Sequence, residues 1–344
     1  MSPILAVTLP FFALVLMGYL AAARRVLPES AIAGLNAFVL YFALPAMLFR
    51  FGMTTPIGQL LNPVVLLVSL LASLGIVAFT LAVTLSPRVQ LKDAAFGALV
   101  AAFPNTGFMG VPLLVALLGA QAAGPIIITI AFDLVVTSSL CIALSRLDQA
   151  GGSASGGAAQ HGPRQAARQA LRGVLVNPMP WSILLGVLLS AAHWRLPGPV
   201  ERTVAMLADA ASPVALFTIG AVLARSALLA REHGASAAVA AAMGTRSAVP
   251  PKAPLADVLP VVLVKLLAHP LLVWALGQGA IALGLPLSTP ALMVIVLVAA
   301  LPSASNVSML AERFGADNGR IARIILWTTV ATFFSFPAAV GLLR

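Results

Sequence analysis

Ten apolar stretches, most of them about twenty residues long, recur along this chain of 344 residues. A bilayer core of about 30 Å is crossed by about 20 helical residues rising 1.5 Å each, so these stretches have the length of membrane spans. They cover 4–23, 31–51, 62–85, 94–119, 124–144, 177–192, 203–223, 258–284, 291–311 and 321–343. Charged residues make up only 9% of the chain and hydrophobic ones 60%, with a mean hydropathy of +1.04. A soluble domain carries roughly 25% charged residues, so this chain must be solvated by lipid. Hydrocarbon offers the backbone no hydrogen-bond partner, which makes each span helical. The expected class is an all-α integral membrane protein of about ten helices.

Charge placement sets the orientation. Ala21-Ala22-Ala23 after the first stretch looks like a leader cleavage site, but Arg24 and Arg25 follow the apolar run instead of preceding it. That is the pattern of a retained first helix with its N-terminus outside. On that orientation, fifteen of the twenty Lys and Arg fall in inside loops. Arg50, Arg195, Arg202 and Arg344 fall outside, and Lys265 lies within a span. The positive-inside asymmetry predicts a multi-pass protein of the cell inner membrane with both termini outside and two long cytoplasmic loops. The first, 147–176, opens with Gly151-Gly152-Ser153 and carries Arg164, Arg168 and Arg172; the second, 226–256, is Ala-rich and ends in Pro250-Pro251-Lys252-Ala253-Pro254. Both read as poorly ordered tethers.

The net charge of +10 therefore belongs to topology. The basic residues stand singly or in pairs, without the aromatic interleaving of a nucleic-acid surface. Cys141 is the single cysteine, which excludes an intramolecular disulfide and a thiolate metal cluster; it reads as a small buried hydrophobe. No cofactor or metal is expected.

The two halves resemble each other. Leu99-Val100-Ala101-Ala102-Phe103-Pro104 in the fourth stretch matches Leu297-Val298-Ala299-Ala300-Leu301-Pro302 in the ninth. Ala43-Leu44-Pro45-Ala46-Met47-Leu48-Phe49 in the second is similar to Ala211-Ser212-Pro213-Val214-Ala215-Leu216-Phe217 in the seventh. Each pair is five spans apart, and five is odd, so the second copy enters the membrane from the opposite side. The expected organisation is a five-helix repeat over 1–146, a linker over 147–176 and an inverted five-helix repeat over 177–344. Inverted repeats are a recurrent device of secondary transporters.

The fourth and ninth stretches are broken. Pro104-Asn105-Thr106-Gly107-Phe108-Met109-Gly110-Val111-Pro112 holds two prolines and two glycines in nine residues, a composition that will not sustain a regular helix. The ninth offers Pro302-Ser303-Ala304-Ser305-Asn306-Val307-Ser308. Irregular backbone at membrane depth is tolerated only against protein or a watery cavity. Two such breaks would bring half-helix N-termini together, with orphan N–H groups suited to a carboxylate. The candidate substrate residues are Asn105, Thr106, Gly107, Ser303, Ser305 and Asn306, with Pro104, Pro112 and Pro302 as the helix breakers.

Asp133, Asp209, Lys265 and His269 are the ionisable residues inside predicted spans. A charge at the bilayer centre costs about 2.5–3.5 kcal/mol, so each should face protein or water. Lys265 and His269 are four apart and share a helix face. Lys265 is read as attracting the substrate anion, as neutralising Asp133, or as snorkelling. Asp133 and His269 are the candidates for coupling or charge balance, with a packing role for His269 as the alternative. Asp209 reads as interfacial.

The stretch Leu35-Asn36-Ala37-Phe38-Val39-Leu40-Tyr41-Phe42-Ala43-Leu44-Pro45-Ala46-Met47-Leu48-Phe49 resembles the second-helix signature of the auxin efflux carrier family, and Pro104 through Pro112 resembles its first crossover motif. Lys265-Leu266-Leu267-Ala268-His269-Pro270 and the Ser/Asn-rich ninth stretch are similar to bacterial members. The resemblance implies a fold related to the bile-acid sodium symporters. Its first, second, sixth and seventh helices would form a dimerising scaffold. The other six would carry substrate at the crossover in an elevator-like motion. It also implies a small carboxylate such as malonate or malate as substrate, or an auxin-like aromatic acid. The crossover asparagine of the family falls on Asn105, and a second on Asn306. The acidic residue of the third helix in plant members has no counterpart, since 62–85 contains no Asp or Glu.

The sequence thus predicts a secondary transporter of a small organic anion, a homodimer in the bilayer, coupled to a proton or sodium ion if it imports. An amino-acid exporter, a channel or sensor, and a membrane-embedded enzyme are the other readings. Against an enzyme, neither Gly-x-Ser-x-Gly nor His-Glu-x-x-His occurs, and there are only four histidines.

Overall fold

The computed structural model describes residues 3–54, 62–150, 178–242 and 255–343. The expected tether at 147–176, with Arg164, Arg168 and Arg172, lies almost wholly outside these. The described residues form helices and contain no strand, only one isolated antiparallel bridge. The helices are α1 (Pro3–Ala23), α2 (Glu29–Thr54), α3 (Pro63–Thr84), α4 (Leu91–Ala102), α5 (Thr106–Leu118), α6 (123–150), α7 (Pro178–Ala191), α8 (Gly198–Ala242), α9 (Leu255–Ala282), α10 (Thr289–Ala299), α11 (Val307–Arg313) and α12 (Asn318–Leu343). The fourth predicted stretch is α4 and α5 together, and the ninth is α10 and α11. Six helices are long and apolar enough to cross a membrane, and four shorter apolar helices accompany them. Leu16, Leu188, Leu271 and Phe334 stand outward and exposed, a surface that lipid covers and water would not.

One boundary differs from expectation. The second long loop was expected from 226, but α8 continues to Ala242 as a helix of 45 residues. At 1.5 Å per residue it is about 68 Å long, more than twice a bilayer core. Residues 226–242 contain no proline and eight alanines, and alanine is the best helix former. Low hydropathy ended the span, but nothing in the sequence ended the helix.

Proline shapes the interior helices. Wide π-type turns occupy Val39–Ala43, Thr106–Gly110 and Val264–Ala268. Each is followed two residues later by a proline, namely Pro45, Pro112 and Pro270. Proline lacks the N–H and crowds the preceding turn, and one added residue per turn relieves both defects. A fourth π-type turn, Asp133–Thr137, has no proline after it. There the Ser138 hydroxyl donates to the Asp133 carbonyl at 2.9 Å.

Two helix pairs meet backbone to backbone. α1 packs along α8, where a Cβ on Gly18 would overlap the Phe217 carbonyl and one on Gly220 the Val15 carbonyl. α2 packs on α7 in the same manner, with Gly52 against Ile183 and Gly186 against Phe49. Without a hydrophobic drive between helices in lipid, close approach at small residues supplies the dispersion contact. The remaining helices pack as a second group, α3 on α4, α4 on α6, α9 on α3 and α10. Arg320, only 2% exposed, ties three of their ends together. Its Nε donates to the Asp257 carbonyl at 3.0 Å and its Nη1 to the Asp93 carbonyl at 2.9 Å.

Candidate functional site

The two helix breaks touch. The Asn105 N–H donates to the Pro302 carbonyl at 2.8 Å, and the Ala304 N–H to the Phe103 carbonyl at 3.0 Å. This pairs Pro104 with Ser303 as the isolated antiparallel bridge. Backbone groups freed by the prolines therefore satisfy one another at the crossing. The Asn105 amide is consumed there, so it is not among the orphan donors expected for an anion. The Asn105 carbonyl accepts from Met109 and Gly110, starting α5. Asn105, Thr106 and Ser303 are buried, and the Ser303 N–H donates to Thr328 Oγ1 at 3.2 Å. The Ser303 hydroxyl oxygen and Asn306 Oδ1 are both buried without a hydrogen-bond partner. Gly107 is half-buried, and a Cβ there would meet nothing within 4 Å.

The carbonyl end of α10 is closed from α9. Lys265, fully buried, donates from Nζ to the Ala299 carbonyl at the end of α10 at 2.9 Å. Nζ also lies 3.1 Å from His269 Nδ1. An ammonium only donates, so Nδ1 accepts and the ring proton is assigned to Nε2. Lys265 thus reaches the C-terminal end of α10, where the macrodipole favours a cation.

Asp133 is held separately. Thr137 Oγ1 donates to Asp133 Oδ1 at 2.9 Å, and Ser73 Oγ lies 3.2 Å from Thr137 Oγ1. Thr137 has one hydroxyl hydrogen, so Ser73 is the donor in the second bond. Arg50 and Asp209 form an ion pair at 2.9 Å, well exposed, and Lys265 and Asp133 form none with each other. Lys265 is therefore not in direct contact with Asp133, and Asp209 is paired with Arg50 at the surface.

Two cavities flank the crossing. The first holds about 310 Å³ of empty space, part of it open to solvent, and is lined by Ser73, Pro104, Thr129, Asp133 and His269. The second holds about 420 Å³ by the same measure, and its polar lining is Asn36, Arg225, Ser305, Asn306 and Ser308. Of the expected site residues, Asp133, His269 and Pro104 meet at the first cavity, and Ser305 and Asn306 at the second. Asn105, Thr106, Gly107, Pro112, Pro302, Ser303 and Lys265 line neither, although most of them build the crossing between. Arg225 and Asn36 were missed. Counting Arg225 as loop charge hid it, while its spacing from Ile219 and Val222 puts all three on one face of α8.

The chain matches the family model of membrane transport proteins over residues 3–340. It belongs to that family. The membership agrees with the auxin efflux carrier resemblance carried by the second-helix and crossover motifs, and makes the chain a membrane transporter and not an enzyme. Within the family, the chain is 28% identical over 345 residues to a "Putative malonate transporter" of Rhizobium meliloti, covering 100% of this chain and 97% of that protein. It is 27% identical over 220 residues to the uncharacterized transporter YfdV of Escherichia coli, covering 63% and 67%. It is 22% identical over 267 residues to auxin efflux carrier component 8 of Arabidopsis thaliana, covering 64% and 72%.

Proposed function

We propose that this family member carries a small organic carboxylate, such as malonate or malate, across the cell inner membrane by alternating access. The observation that carries the reading is the crossing itself: two broken helices joined by a backbone bridge between two polar cavities. Such a crossing keeps irregular backbone at membrane depth satisfied while leaving Ser303 and Asn306 with unused hydrogen-bonding capacity. The full-length likeness to a protein named for malonate transport supports the substrate class.

In this reading the chain spans the bilayer ten times in two inverted halves, with both termini outside and the two long loops cytoplasmic. The glycine contacts support the inversion, because the first segment meets the seventh and the second meets the sixth, the exchange that inverted halves require. Those four segments form a dimeric scaffold, and the others move substrate at the crossing in an elevator-like step. Asp133 and His269, at the first cavity, carry the coupling proton or balance its charge.

The test is uptake of labelled malonate and malate into proteoliposomes, comparing wild type with Asn306→Ala. Transport by wild type and its loss in a folded variant is the expected result. Undiminished uptake by the variant would remove the Asn306 side chain from the site, and no uptake of either acid would sink the small-carboxylate reading.

A further inference from the structure

The second cavity has a chemistry that the crossing alone does not explain. Arg225 on α8 and Asn36 on α2 face Ser305, Asn306 and Ser308 of the ninth segment across it, with Phe108 as an apolar wall. Asn306 Oδ1 is buried there without a partner. Two of these elements belong to the glycine-packed group, and the others to the crossing. Arg225 is only partly buried and lines this cavity together with Asn36 and the polar side chains of the ninth segment. Its planar fork matches a carboxylate with two parallel N–H···O bonds, which a lysine cannot reproduce.

We propose that Arg225 is the anion-binding residue of the transport site, clamping one carboxylate of the substrate from α8 while Asn36, Ser305, Asn306 and Ser308 hold its other polar end. This rests on the carrier reading and names the residue that reads the charge. The substrate class that follows is a short acid with a second polar end, which the Asn306 amide N–H and the Ser305 and Ser308 hydroxyls can meet as donors. The anion then bridges the two helix groups, so sliding one past the other separates Arg225 from Ser305, Asn306 and Ser308 and lets the substrate go.

The experiment is equilibrium binding of malonate and of its uncharged analogue malonamide to the purified full chain in detergent. Wild type, Arg225→Gln and Arg225→Lys are compared, with melting of the unliganded proteins as the folding control. Wild type should bind malonate and discriminate against malonamide. Arg225→Gln should lose about tenfold or more in malonate affinity, and with it the discrimination. Arg225→Lys keeps the charge and loses the fork, and should weaken binding by about threefold; it gives the reading if the glutamine variant does not fold. Wild-type affinity in both variants would overturn the assignment while leaving the carrier reading intact. If wild type does not bind malonate, the small-carboxylate carrier reading fails and the assignment fails with it.

Discussion

Pro104 and Ser303 lie opposite each other in an antiparallel bridge, closed by Asn105 N–H to Pro302 O at 2.8 Å and Ala304 N–H to Phe103 O at 3.0 Å. Almost 200 residues separate them in sequence. The bridge lets a helical protein interrupt two helices at one place, because each break supplies the partners that the other lacks. The main chain therefore fixes the crossing, and the side chains there are left for recognition.

This division predicts the behaviour of Asn105→Ala. The substitution keeps the N–H that bonds Pro302, so the crossing should survive and the melting temperature should move little. Transport of malonate in proteoliposomes should nonetheless fall by about tenfold or more if the amide side chain acts on substrate. A large loss of melting temperature instead would show that the side chain supports the fold.

Lys265 answers the Ala299 carbonyl at the end of α10. Lys265→Met fills the same space and abandons that carbonyl and His269 Nδ1. The expected cost is about 1–3 kcal/mol of stability from unsatisfied buried groups, read by thermal or denaturant unfolding in detergent. A capping lysine leaves the KM of the surviving transport unchanged, whereas a rise in KM at unchanged stability would make Lys265 a substrate ligand.

Asp133 accepts a hydrogen bond from Thr137, which is in turn bonded to Ser73. Asp133→Asn keeps an acceptor for Thr137 and removes the exchangeable proton. A coupling role predicts a folded variant whose uptake no longer responds to an imposed pH gradient. Retention of gradient-driven uptake would assign Asp133 to packing.

Gly220 meets the Val15 carbonyl so closely that an added Cβ would overlap it, while a Cβ on Gly34 meets nothing within 4 Å. Gly220→Ala should separate α1 from α8 and cost about 1–3 kcal/mol, with a lowered melting temperature. Gly34→Ala should be neutral or slightly stabilising, since alanine is the better helix residue. Equal effects of the two would show that the close contact carries little of the stability.

The sequence by itself determined that this is a helical membrane protein, because its composition admits no other solvent. It also located the two breaks, since proline removes a donor wherever it stands, and Pro104 and Pro302 mark both. Asn105, Ser303 and Asn306 were legible as polar residues in apolar stretches that lipid does not tolerate without a reason. The bridge between the breaks, the reach of Lys265 to the Ala299 carbonyl, the Gly18–Phe217 and Gly220–Val15 contacts and the place of Arg225 on one cavity with Asn306 were decided by tertiary structure alone. Each joins residues far apart in the chain, and whether a glycine is a hinge or a contact, or an arginine a loop charge or a ligand, depends on what the neighbouring helix presents. Local physics writes periodicity, breaks and charge into the sequence; partners across helices are set by packing, which no single stretch records.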